Sequence, residues 1–341
     1  MVRYPAPLRA GDTIGVTATS SGVPPSMRAR LDVAVHAVQR RGYAVSLGEC
    51  LYGDGHVSAP AAARAEELMA MLQDPSIKAV VPPWGGETGV DVLELLDWDA
   101  LSTMEPTWVV GYSDVATLIT PLTMAAGIAT VHGGNLMDTP YEVPGGLVSW
   151  LDIAEMPAGS TFTQTPPGRF RRHAHVDYAH DPAATTLDLD AVGGWSRLDD
   201  AGDVHVRGRL VGGCIETISP LVGGPLADMS RFRSEHAGEE TLVYLEAAES
   251  GAFAICRALH GMRLAGFFAG AQAVLIGRTN APDDRGMTQH EAVLDALASL
   301  GIPIVAEVDC GHVAPFMPLV NGAHAEVRLH GDSAQLTQTL R

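Results

Sequence analysis

Over the first 135 residues, short β-rich apolar runs alternate with amphipathic helical stretches, a rhythm that commits a chain to a parallel sheet covered by helices. Thr13–Ala18 reads as the first strand. A helix follows at about Ser26–Arg41, with Leu31, Ala34, Val35 and Val38 on one face. The alternation continues with a strand at Tyr43–Leu47, a helix at Pro60–Leu72, a strand at Ile77–Val81 and a helix around Val90–Leu96. A strand at Trp108–Val110, a helix at Asp114–Ala126 and a strand near Ala129–Val131 complete it. The expected fold class is α/β, with a doubly wound, Rossmann-like parallel sheet at the N-terminus.

From about Pro140 to Arg207 the rhythm dissolves into Pro-, Gly-, Asp- and His-rich sequence (TPYEVPGG, QTPPGRF, HAHVDYAHDPAATT), which reads as a connector with a few edge strands. Beyond it, GRLVGGCIETISPLVGG, TLVYLEAA and AVLIGRT read as strands and turns. Helices near Ala252–Leu264 and Thr288–Leu300 and a strand at Pro303–Glu307 make this a second α/β domain, smaller and more irregular than the first. The expected division is 1–140, a connector at 141–207, and 208–341.

Composition closes off several functions. A formal charge of −18 opposes binding to a phosphate backbone, and the one basic run, Arg169, Arg171 and Arg172, is too short to form a nucleic-acid face. The four cysteines, Cys50, Cys214, Cys256 and Cys310, lie far apart without C-x-x-C spacing, so they read as reduced thiols and not as a zinc site or a disulfide framework. No apolar signal segment or membrane-length apolar run is present, which makes a cytoplasmic location the expectation.

The chemistry concentrates at WVVGYSDVATLITPL. Ser113 sits between an apolar strand and a helix, where a tight turn projects a hydroxyl outward and the next amide, of Asp114, can face an oxyanion. Gly111 matches the first glycine of a G-x-S-x-G elbow, and Val115 stands in place of the second. The bland alternative for Ser113 is an ordinary helix N-cap. In VVPPWGGETG, Gly85 and Gly86 offer amides for a second oxyanion donor, or simply a glycine turn. A serine nucleophile needs a base and a carboxylate to orient it. Among 13 histidines, His312 stands out in the Gly- and Pro-bounded loop VDCGHVAPFMPL, although a loop histidine can equally be a solvated side chain. Glu246 ends the apolar strand TLVYLE, a costly place for a carboxylate unless it is paired or turned to water.

Taken in order, WGGETG, GYSD, GRLVGG, LVYLE and GHVAPF resemble the LD-carboxypeptidase and microcin C immunity family of serine peptidases, over about residues 10–325. The resemblance implies a triad of Ser113, Glu246 and His312, with the serine on the N-terminal domain and its partners on the C-terminal one. It further implies oxyanion contacts from the Gly86 and Asp114 amides, a cleft between the domains, no metal or cofactor, and a homodimer. Trp84, Gly85, Glu87, Trp195, Cys214 and Glu216 are the candidate substrate contacts. Three places depart from the family pattern: Cys214 stands where asparagine is common, VHGGNLMD replaces HGP, and the GGWSRLDD connector does not align closely. The substrate is expected to be either the LD-peptide bond of murein tetrapeptide or an aminoacyl-nucleotide amide, the GGW connector favouring the second. An α/β-hydrolase esterase shares the chain order serine, acid, histidine. A non-enzymatic binding protein is the remaining rival, but the glycine fingerprints of a phosphate cradle are missing.

Overall fold

The computed structural model describes residues 1–172, 177–199 and 202–341. Part of the connector sequence, 173–176, and Asp200 of GGWSRLDD lie outside the described residues. In chain order the strands are β1 (Thr13–Val16), β2 (Ala44–Leu47), β3 (Ile77–Val80), β4 (Trp108–Gly111), β5 (Thr130–His132), β6 (Thr161–Gln164), β7 (Arg169–Phe170) and β8 (Ala191–Val192). Then follow β9 (Ser196–Arg197), β10 (Val204–Cys214), β11 (Thr241–Glu246), β12 (Ala271–Gly277), β13 (Ile304–Val308), β14 (Leu319–Asn321), β15 (His324–His330) and β16 (Ser333–Thr339).

Two sheets result. The first runs β2-β1-β3-β4-β5-β14, parallel through β5, with the order expected of a doubly wound sheet. Its sixth strand, β14, comes from the far C-terminus and pairs antiparallel to β5. The second runs β6-β16-β15-β10-β11-β12-β13-β9, parallel from β10 to β13 and antiparallel at both flanks. This sheet has eight strands against six, two of the eight coming from the connector sequence. The irregular sequence supplies edges: β6 and β9 from the connector close the two ends of the larger sheet. The connector is also pinned to the first half, because the buried Arg30 guanidinium donates to the carbonyls of Pro182 (3.1 Å) and Ala184 (2.6 Å).

Local chemistry accounts for the helices. In Arg28–Arg40, Leu31, Ala34 and Val38 are buried and Val35 half-buried, the stripe read from the sequence. Ala252–Leu264 has the bounds expected, and Gln289–Leu297 opens on a capping box between Thr288 and Glu291. Two expected helices are tighter. Gly89–Leu95 is 3-10 throughout, and the stretch after β4 starts as a 3-10 turn at Ser113–Val115 before the α-helix Ala116–Met124.

That last helix is the hinge of the architecture. All nine of its residues are buried. Leu118, Ile119 and Leu122 share one apolar cluster with Val80 and Val109 of the first sheet and with Val211, Val243 and Leu245 of the second. Burial of each such side chain contributes about 1.5–3 kcal/mol. Its threonines are satisfied: Thr120 donates to the Gly212 carbonyl of β10 at 2.7 Å, and Thr123 to the Ile128 carbonyl at 2.7 Å. The two sheets therefore meet across a shared apolar core, with the C-terminal ends of β4, β10 and β11 brought together.

Candidate active site

Ser113 occupies the turn after β4. Tyr112 is extended, and Ser113 has φ +63°, in the left-handed region that costs a non-glycine residue roughly 1–3 kcal/mol. Neighbours hold this strained turn. The Asn135 side chain accepts from the Tyr112 N–H at 3.2 Å, and Asp114 Oδ2 accepts from the Gly89 N–H at 2.7 Å. Asp114 Oδ1 accepts from the Thr117 hydroxyl at 3.1 Å. Tyr112, not Ser113, is the N-cap, and no side-chain cap bond is made, so the ordinary capping role for Ser113 falls away.

The glycine pair lies against this turn. A Cβ added to Gly85 would fall 2.9 Å from the Asp114 nitrogen and 3.0 Å from Ser113 Oγ, which leaves room for glycine alone. Among the described residues, the Gly86 and Asp114 N–H groups are bonded to no other group.

Glu246 ends β11 opposite Cys214 of β10 and is fully buried. Its Oε2 is 2.7 Å from His312 Nδ1. A carboxylate only accepts, so Nδ1 carries the proton and Nε2 is left as the basic nitrogen. His312 lies four residues past β13, and the loop presses so closely on the carboxylate that a Cβ at Gly311, whose φ is +94°, would come 2.5 Å from Glu246 Oε2. Burial pushes the Glu246 carboxyl up, but the flanking His312 and His132 imidazoles overcome it and hold it well below the usual range. For His312, burial favours the neutral ring, and the Glu246 carboxylate outweighs it, so its pKa is raised.

Ser113 and His312 line one cavity of about 540 Å³ together with Gly86, Glu87, Cys214 and Glu216. No hydrogen bond joins the two side chains, and such catalytic contacts commonly tighten only around substrate. The remaining expected contacts divide. Glu87 is exposed on the cavity rim, where burial and then Glu249 raise its pKa. Glu216 is occupied, its Oε1 accepting the N–H groups of Ala248, Glu249 and Ser250 at 2.9, 3.1 and 3.1 Å. Cys214 donates its thiol to Glu216 Oε2 at 3.2 Å, and burial with the nearby Glu246 keeps it a thiol.

Trp84 and Trp195 fall outside the cavity lining. The Trp84 indole N–H donates to the Ser21 carbonyl at 3.2 Å, and the ring packs on the first sheet's core. Trp195 is 6% exposed, with its N–H on Asp309 Oδ2 at 3.0 Å. Both rings are packed, Trp84 against the first sheet's core and Trp195 in the second sheet's cluster.

One residue escaped the sequence reading. His132 closes β5, is 1% exposed, and places Nε2 3.6 Å from Glu246 Oε1; neither atom has a hydrogen-bond partner among the described residues. Its signal was a histidine ending an apolar strand, as Glu246 does. Away from the cavity, Cys256, His260 and Asp295 bring ligand-type atoms within 4.8 Å of one another, with His260 Nε2 and Cys256 Sγ already on Asp295 Oδ1 at 2.7 and 3.5 Å. No helix among the described residues is long and apolar enough to cross a membrane.

Comparison with known proteins agrees with this architecture. The chain is 24% identical to the microcin C7 self-immunity protein MccF of Escherichia coli, over 98% of this chain and 95% of that protein. It is 24% identical to a probable murein peptide carboxypeptidase of Bacillus subtilis, over 94% and 90% of the two chains. Among solved structures, an MccF-like protein from Bacillus anthracis superposes with a TM-score of 0.82 at 20% identity, covering 100% of both chains. Muramoyltetrapeptide carboxypeptidase from Oxalobacter formigenes superposes with 0.69 at 18% identity, covering 96% of this chain and 98% of that one. Residues 14–133 match the LD-carboxypeptidase N-terminal domain and residues 207–327 the LD-carboxypeptidase C-terminal domain, and the chain belongs to that family of serine peptidases.

Proposed function

We propose that the chain hydrolyses an amide through an acyl-enzyme on Ser113, with His312 as base and Glu246 as its orienting carboxylate. The observation that carries this reading is the 2.7 Å contact of His312 Nδ1 with the buried Glu246, in a cavity that Ser113 also lines. His312 Nε2 takes the Ser113 proton as Oγ attacks the scissile carbonyl. The oxyanion is received by the Gly86 and Asp114 N–H groups. The imidazolium, stabilised by Glu246, then gives its proton to the leaving amine. Water attacks the ester with His312 again as base, and Ser113 is regenerated.

In this reading 1–140 is the nucleophile unit, 208–341 brings Glu246 and His312, and 141–207 lies between them. The enzyme works in the cytoplasm as a homodimer, which light scattering of the purified protein tests. Two amide classes fit: the LD-bond to the terminal D-alanine of murein tetrapeptide, as in peptidoglycan recycling, and an aminoacyl-nucleotide amide of the microcin type. The names of the relatives support both: a murein peptide carboxypeptidase and a muramoyltetrapeptide carboxypeptidase for the first, and MccF complexes with aspartyl sulfamoyl adenosine and glutamyl sulfamoyl guanosine for the second. Side-by-side hydrolysis of the tetrapeptide and aspartyl sulfamoyl adenosine by wild type and S113A is the test. Turnover of at least one by wild type, lost in S113A, is expected; turnover that survives in S113A contradicts the assignment.

A further inference from the structure

We propose that Arg171 is the receptor for a substrate carboxylate, so that the preferred amides carry an ionised carboxylate close to the scissile bond. The proposal rests on the amidase reading above. Arg171 belongs to the short basic run that is too small for a nucleic-acid face, and it is the one Lys or Arg among the described residues lining the cavity of Ser113 and His312.

Its placement is that of a built site. The side chain is 7% exposed. The backbone N–H of Arg171 donates to the Ala314 carbonyl at 2.9 Å, tying it two residues from His312, and Nε donates to the Leu187 carbonyl at 2.6 Å. The guanidinium carbon lies 6.0 Å from the centre of the Tyr141 ring. Nη2 is buried with no acceptor among the described residues. Of the other buried arginines, Arg64 is matched with Asp91, Arg209 with Glu239, and Arg278 with Asp309 and Glu307; Arg30 has an unpartnered Nη2 too, but it does not line the cavity, and its guanidinium lies over the Tyr141 and Tyr178 rings and donates to the Met137, Pro182 and Ala184 carbonyls. Arg171 has a guanidinium fork and, among the described residues, no carboxylate to fill it. A buried charge is tolerated when a partner completes it, and a planar fork suits a carboxylate in a two-point contact.

The rest of the lining sharpens the argument. Glu87, Glu216 and Glu249 also border the cavity and repel an anionic group, which leaves Arg171 as the permanent cation among the described lining residues. The two substrate classes supply the carboxylate differently. Murein tetrapeptide has the free C-terminus of its leaving D-alanine, whereas aspartyl sulfamoyl adenosine has the aspartyl side chain on its acyl portion.

The test is a comparison of R171M and R171K with wild type on two matched pairs: the tetrapeptide and its C-terminal amide, and aspartyl sulfamoyl adenosine and its asparaginyl counterpart. R171M should lose on the order of 100-fold in kcat/KM on the acidic member of one pair, mostly in KM, and converge with wild type on its neutral member. R171K, which keeps charge without the fork, should fall between. The pair that shows the loss identifies the source of the carboxylate. Equal losses on acidic and neutral members, or no loss in either pair, overturn the proposal. Labelling of Ser113 by a neutral fluorophosphonate separates this failure from that of the amidase reading. Wild type that labels at Ser113 while the pairs fail to discriminate removes the role of Arg171 alone, whereas wild type that does not label removes both.

Discussion

The two halves of the site are positioned by different physics. On the first sheet, Ser113 is set by backbone geometry: a left-handed φ of +63°, a glycine pair with no space for a Cβ, and two uncommitted amides. On the second sheet, Glu246 and His312 are set by charge, one buried carboxylate contacted on Oε2 at 2.7 Å and approached on Oε1 at 3.6 Å by two imidazoles. A half built on backbone shape is sensitive to a single added methyl group. A half built on a buried ion is sensitive to loss of a single charge, because the partner left behind cannot reach water.

The sharpest way to break the charged half is E246Q, which keeps shape and removes charge. It should lower kcat by about 10⁴-fold. It should also move the acidic limb of the kcat/KM profile. In wild type the limb follows the raised pKa of His312, so activity rises with pH through a value above about 6.5; without the Glu246 carboxylate, burial is opposed only by the weaker pull of Glu216 and Asp138, and the limb shifts to lower pH. A stopped pH series on both proteins checks it, and an unmoved limb would detach His312 from Glu246. The same pairing gives a stability signature. The Glu246 contribution is present above its ordinary carboxyl pKa and fades as pH falls through its depressed one. The His312 contribution is full below its ordinary pKa and fades as pH rises through its raised one.

On the shape-built half, G85A places a methyl group on the Asp114 amide and on Ser113, and should cost roughly 10²–10³-fold in kcat, the size of a lost oxyanion donor, with the fold retained by circular dichroism. Equal activity in G85A would mean that the glycine pair is only a turn. His132 joins the halves, since it leaves the first sheet to approach Glu246. Substitution by Ala should lower kcat about tenfold with KM little changed, and Asn should recover part of the loss. A change in KM alone would make it a packing residue. W195F should leave kcat unaltered and reduce stability by about 1–3 kcal/mol, because the hydrogen bond to the buried Asp309 is lost.

What could be read from the sequence follows the same division. Ser113, Glu246 and His312 were visible because each is polar and stands at or just after the end of an apolar strand, where α/β sheets gather their chemistry. The first five strands and the helix at Ala252–Leu264 were visible because their periodicity is local. The last three strands were not. β14 leaves the C-terminal half to join β5, a pairing across 187 residues for Leu319 and His132, and nothing near either residue encodes it. The hairpin of β15 and β16 alternates buried and exposed residues, but with Glu, Arg, His and Gln interspersed its apolar face is thin. For Trp195 and Trp84 the sequence left contact and packing equally open, because size marks a residue as important without saying whether it faces ligand or core. Arg171 was passed over because its charge was weighed as part of a surface, and only its burial gives it another meaning.

The most direct test of a serine nucleophile activated by a buried His312–Glu246 pair is mass spectrometry of the intact protein and its peptides after brief exposure to a neutral fluorophosphonate at pH 8. One adduct per chain is expected, on the peptide containing Ser113, absent in S113A and formed orders of magnitude more slowly in H312A and E246Q. Adduct on another residue, or labelling of S113A at the wild-type rate, would contradict it.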